Sequence, residues 1–147
     1  MKTKVLMLCG AALLSAACSG VTSRVKDGKV GMVIDQKPVK GGYIEAIGIG
    51  ASDPELKTET QRKALARDAA IVKAQYELLS MVKGVTLDGG ITVSRALEQD
   101  STLAARLTET IRGAEVLKSE FTADNGCVVT LRLPKDRMER MMGVRLQ

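Results

Sequence analysis

The chain contains no histidine and no tryptophan, and its only rings are Tyr43, Tyr76 and Phe121. Without imidazole it lacks the commonest general base, the usual activator of a serine or cysteine nucleophile, and the commonest metal ligand. So few aromatics also argue against stacking platforms for bases, sugars or flavins. Long apolar runs are missing as well. The longest, Val5 to Ala17, is 13 residues, too short to cross a bilayer as a helix.

That run does have a place. Lys2 and Lys4 precede it as a positive n-region, and it closes on Leu14-Ser15-Ala16-Ala17-Cys18, the pattern of a secretory leader. The closing residues resemble the lipobox of bacterial lipoproteins, with Ser15 standing where leucine is usual. The resemblance implies cleavage before Cys18, acylation of that residue, and, because Ser19 rather than aspartate follows, export to the outer membrane. Two or three acyl chains, at about 0.8 kcal/mol per buried methylene, hold a protein on a membrane permanently. Residues 1–17 are thus expected to be a removed signal peptide, 18–41 a lipidated cysteine with its tether, and 42–147 one α+β domain. Within the tether a short strand is expected at Val30 to Ile34, with a break at Pro38.

Charge and cysteine shrink once the leader is set aside. Of 22 Lys+Arg, Lys2 and Lys4 leave with it, so 20 remain against 17 Asp+Glu, a net +3. So small an excess makes no nucleic-acid-binding face. Cys9 leaves too, Cys18 carries lipid, and Cys127 remains as a lone thiol, which excludes an internal disulfide framework. It opens Cys127-Val128-Val129-Thr130-Leu131-Arg132-Leu133, where residues 127, 129, 131 and 133 share one strand face. There it reads as a small buried hydrophobe.

The centre of the chain reads as one long helix from Ala51 to Gly84. Leu65, Ala69, Val72, Tyr76, Leu79 and Val82 recur at steps of three or four and form one stripe. Ala64, Ile71 and Leu78 form a second stripe about 120° away, more apolar surface than one sheet needs. Ser52-Asp53-Pro54-Glu55 carries the signals of a capped start, and Lys83-Gly84 those of a stop. Before it, Tyr43 to Gly50 alternates as a core strand. Gly48-Ile49-Gly50 sits where a dinucleotide fingerprint would, but Asp53 stands at the third glycine, so close backbone packing explains the pair better.

Beyond Gly84, residues Val85 to Val93 read as a bulged strand or as two short strands around Gly89-Gly90. Ser94 caps a second helix over Arg95 to Ile111 with Leu97, Leu103, Ala104, Leu107 and Ile111 inward. Ala114 to Phe121 is a strand, Asp124-Asn125-Gly126 a hairpin turn, and Pro134 ends the strand that Cys127 begins. Lys135 to Met142 is a final short helix, its Met138, Met141 and Met142 either core filler or a pliable contact surface. The expected class is α+β: a small antiparallel sheet in β-α-β-α-β-β order, with one long and one shorter helix packed on it.

Residues 43 to 134 also resemble the lipoprotein-20 family. The likeness is carried by Ile-Gly-Ile-Gly at 47–50, the run Gln61 to Ala70, Leu78 to Gly84, and Ile111-Arg112-Gly113-Ala114-Glu115-Val116 before the hairpin. The resemblance implies an outer-membrane lipoprotein with a small α+β domain and no catalytic residues. In flagellar members of that family, many copies form rings or disks around the motor.

The leading expectation is therefore a non-enzymatic structural lipoprotein. It would be bound to the membrane through acyl chains on Cys18 and would oligomerise through Ala64, Ile71 and Leu78 with copies of itself. Its other partners would be flagellar or other envelope proteins, and it would use no cofactor, metal or nucleic acid. The alternatives are coverage of that stripe within one molecule by Leu97, Leu103 and Leu107, and a periplasmic binding module for a small ligand or envelope component.

Overall fold

The computed structural model describes residues 22–31 and 41–146. The leader, Cys18, residues 32–34 of the expected tether strand and Pro38 lie outside them. Two short strands, β1 (Val25–Lys26) and β2 (Lys29–Val30), form a hairpin and precede the main sheet strand β3 (Tyr43–Gly50). Then come helices α1 (Glu59–Lys83), α2 (Val93–Gln99) and α3 (Ser101–Arg112), strands β4 (Glu115–Phe121) and β5 (Cys127–Pro134), and helix α4 (Lys135–Met142). The main sheet has the order β3-β5-β4 and is antiparallel throughout, so the class is α+β as read from the sequence.

The register puts Ile44, Ala46, Gly48 and Gly50 opposite Leu133, Leu131, Val129 and Cys127. Directly opposed residues share a face, and this face looks at α1. A Cβ at Gly48 would lie 2.0 Å from the carbonyl oxygen of Ala70, and one at Gly50 2.0 Å from that of Ala66. The helix backbone therefore rests almost directly on the strand. Where it crosses those glycines the side chains it turns to the sheet are small for the same reason, Ala66, Ala70 and Ala74; beyond the close approach Leu78 and Val82 follow, and all five are fully buried. Leu103, Leu107, Ile111, Met138 and Met142 complete the core. Full burial of a Leu or Met of this kind contributes about 1.5–3 kcal/mol.

The close packing corrects the expected interface. Of the Ala64, Ile71 and Leu78 stripe, Leu78 is fully buried, Ile71 is half-buried against the same core, and only Ala64 is exposed. Leu103 and Leu107 share the core with Leu78, so that part of the stripe is covered within one molecule. The large residues of the other stripe, except Leu79 and Val82, point to solvent.

Helix ends differ too. Ser52 spends its hydroxyl on the carbonyl of Asp124 at 2.7 Å, and Asp53 accepts the amide of Glu55 in a turn, so neither caps a helix. Thr58 does, in a reciprocal box with Gln61 (3.2 and 3.3 Å), and α1 begins at Glu59 rather than Ala51. Thr92, not Ser94, caps the second helix. That helix is broken at Asp100, whose carboxylate accepts the amides of Thr102 and Leu103 and starts a new one.

Residues 85–93 form a tight turn whose Gly89 and Gly90 both have positive φ. It bridges Thr86 to Thr92 and Leu87 to the C-terminal Leu146, and stays out of the main sheet. In the β4–β5 turn the left-handed residue is Asn125 (φ 64°) rather than Gly126, whose missing Cβ lets the turn approach the carbonyl of Gly50. Helix α4 has the expected span, with Met138 and Met142 in the core and Met141 outside.

Gly48→Ala forces helix and strand apart. It should lower stability by about 3 kcal/mol in a urea melt; a loss under about 0.5 kcal/mol would show that the contact is looser than drawn.

Candidate functional site: the outward face of the long helix

Chemistry has little to work with in this fold. Among the described residues no three His, Cys, Asp or Glu side chains gather as a metal site, and no helix is long and apolar enough to cross a membrane. Cys127 is buried in the sheet face under α1, and burial pushes its thiol up despite the nearby Arg67 guanidinium. At neutral pH it is a protonated core side chain, not a nucleophile.

The exceptional surface is the far side of α1. At about 100° per residue, Leu65, Ala69, Val72 and Tyr76 lie opposite the alanine stripe that meets the sheet. They are open to water: Tyr76 is 71% exposed, Val72 58% and Leu65 46%. Leu79 is half-buried at the far end, where α3 rises alongside. There Val72, Gln75, Tyr76 and Leu79 form the floor of a cavity of about 210 Å³ walled by Thr108, Ile111 and Arg112 of α3. It is smaller than the several hundred Å³ that small-molecule sites usually occupy. Lys73, on one flank of the stripe, pairs with Glu77 at 2.9 Å, and Asp68 lies on the other without an ion pair among the described residues. Leu65, Val72 and Tyr76 thus make a row of large exposed apolar side chains along one helix.

The second notable feature is where the chain enters the fold. Part of the expected tether is folded: Asp27 (φ 51°) and Gly28 (φ 72°) make the two-residue turn joining β1 to β2. An Asp-Gly pair between valines is a hairpin signal, obscured here because each strand is only two residues long. The hairpin docks on the sheet end that holds the β4–β5 turn. The amide of Ala123 donates to the carbonyl of Gly28 at 2.9 Å. Glu120 accepts the hydroxyl of Ser23 and, at 2.8 Å, the amide of Arg24, while Lys118 lies 3.2 Å away. That is the same end of the molecule at which β3 leaves the sheet for α1. Residues 19–22 separate Cys18 from Ser23, the first docked residue, so at about 3.3 Å per residue the two lie at most about 17 Å apart.

Burial alone would raise Glu120, but the Ser23 hydroxyl, the Arg24 amide and the Lys118 ammonium together outweigh it and hold its carboxyl below the ordinary value of 4.5. A depressed carboxylate stabilises the folded arrangement above its unfolded pKa, and the effect is lost as pH falls through the folded value.

No protein-family model, no curated protein and no solved structure matches the chain.

Docking of the hairpin should accordingly be constant from pH 7 to about pH 5 and loosen below 4.5. Glu120→Ala should remove that dependence and speed hydrogen exchange at Arg24 and Ala123 by roughly tenfold, about 1.4 kcal/mol. Equal exchange in the variant and the parent would detach Glu120 from the docking.

Proposed function

We propose that this chain is a non-enzymatic lipoprotein held by acyl chains on Cys18 at the periplasmic face of the outer membrane, where copies assemble side by side as a structural layer. The observation that carries the reading is the exposed Leu65, Val72 and Tyr76 row on α1, a surface whose burial between copies removes large apolar area from water. The lipobox-like end of the leader supports the anchor. A short reach from Cys18 to the docked hairpin supports copies held close to one bilayer, where confinement raises their effective concentration. The absence of histidine and the protonated, buried Cys127 speak for a role without catalysis. The lipoprotein-20 resemblance extends the same reading to rings or disks of the flagellar motor or another envelope assembly.

Two measurements on the full-length protein test the proposal. Mass spectrometry of the mature amino-terminal peptide should find acylated Cys18; a free amine on an unmodified residue would contradict the anchor. Light scattering in detergent should give a mass of two or more copies for the parent. Val72→Glu, which puts a charge in the row, should weaken association by roughly a hundredfold, about 2.7 kcal/mol, with unchanged circular dichroism. A parent that stays monomeric at high concentration would contradict assembly.

A further inference from the structure

Resting on that reading, we propose that α1 pairs with α1 of a second copy in parallel and in register, about a two-fold axis running along the helices. The row at 65, 69, 72, 76 and 79 alternates steps of four and three, the spacing of a coiled-coil seam. Ala69 and Tyr76 then take the a positions, and Leu65, Val72 and Leu79 the d positions. In a parallel pair the knob at an a position enters a hole made by the preceding d and g, the matching a and the following d of its partner. For Tyr76 that hole is Val72, Gln75, Tyr76 and Leu79. Those four residues are the α1 lining of the 210 Å³ cavity, so the seat for a partner's tyrosine already exists in one copy.

Charge favours the same register. Asp68 falls at g and Lys73 at e, and in a parallel pair each g faces the partner's e five residues on, giving two Asp68–Lys73 pairs. An antiparallel pair centred on Val72 would instead set Lys73 beside Lys73 and leave Asp68 without a cation. Anchoring adds a third argument. The entering chain docks at the end where α1 begins, so parallel pairing puts both entry points at one end, each within about 17 Å of its Cys18. Reversing one 25-residue helix would separate the two entry points along the axis by about 37 Å.

Disulfide cross-linking of the full-length protein in native membranes tests the orientation, because Cys127 is buried and does not compete. Leu65→Cys alone and Leu79→Cys alone should each form covalent dimers, at least tenfold above the parent and above Ala64→Cys. Asp68→Lys should cut the yield several-fold, and adding Lys73→Asp should restore it. Cross-links that appear only when the Leu65→Cys and Leu79→Cys proteins are mixed would overturn the parallel register. Absence of cross-links from a protein that light scattering still reports as oligomeric would overturn this interface while leaving assembly standing; a monomer by both methods would overturn both.

Discussion

Everything in this fold follows from how close α1 comes to the sheet. Two glycines on β3 have no Cβ, and two would-be Cβ positions lie 2.0 Å from helix carbonyls. At that separation a leucine or tyrosine cannot fit between helix and strand, so the contact is made by Ala66, Ala70 and Ala74. Over the stretch that faces Gly48 and Gly50 small residues own the inner side, and Leu65, Val72 and Tyr76 lie on the outer side, while Leu78 and Val82, past the close approach, are buried. The packing constraint and the exposed apolar row are thus two consequences of one geometry.

This explains which parts of the molecule could be read in the chain. Strand alternation at Tyr43 to Gly50, the Asp-Asn-Gly turn, the inward face of Cys127 to Leu133 and the span of α4 all obey local rules that the structure respects. The Gly48/Gly50 pair was legible as a close-packing signal rather than a phosphate cradle. The facing of α1 was not legible, because a hydrophobic stripe is ordinarily assigned to the core by size, and here size is what excludes it. Ala66, Ala70 and Ala74 carry too little hydrophobicity to stand out as a core stripe. Nor could local pattern reveal that Ser52 binds the Asp124 carbonyl 72 positions away and so gives up the cap to Thr58. The Asp100 break has a local signal, a capping aspartate before Ser101-Thr102, hidden inside a longer apolar period.

The proposed anchor and the proposed pairing surface use different parts of the molecule, the entering hairpin and the outward row of α1. The hairpin of residues 25–30 is pinned to β4 through Glu120 and to the β4–β5 turn through Gly28. On the proposed reading a body held close to the bilayer would explore few orientations, which lowers the entropy cost of pairing along α1. In the proposed pair Asp68 and Lys73 beside the row would set which way two helices run, as flanking charges do in coiled coils.

Hydroxyl-radical footprinting of the protein in its native membrane tests the central claim most directly. If the outward row of α1 is the surface between copies, Val72 and Tyr76 should be modified several-fold less than in dispersed monomer, while Tyr43, stacked 4.1 Å from Arg132 on the sheet, should be unchanged. Equal modification of Tyr76 in both states would contradict the account.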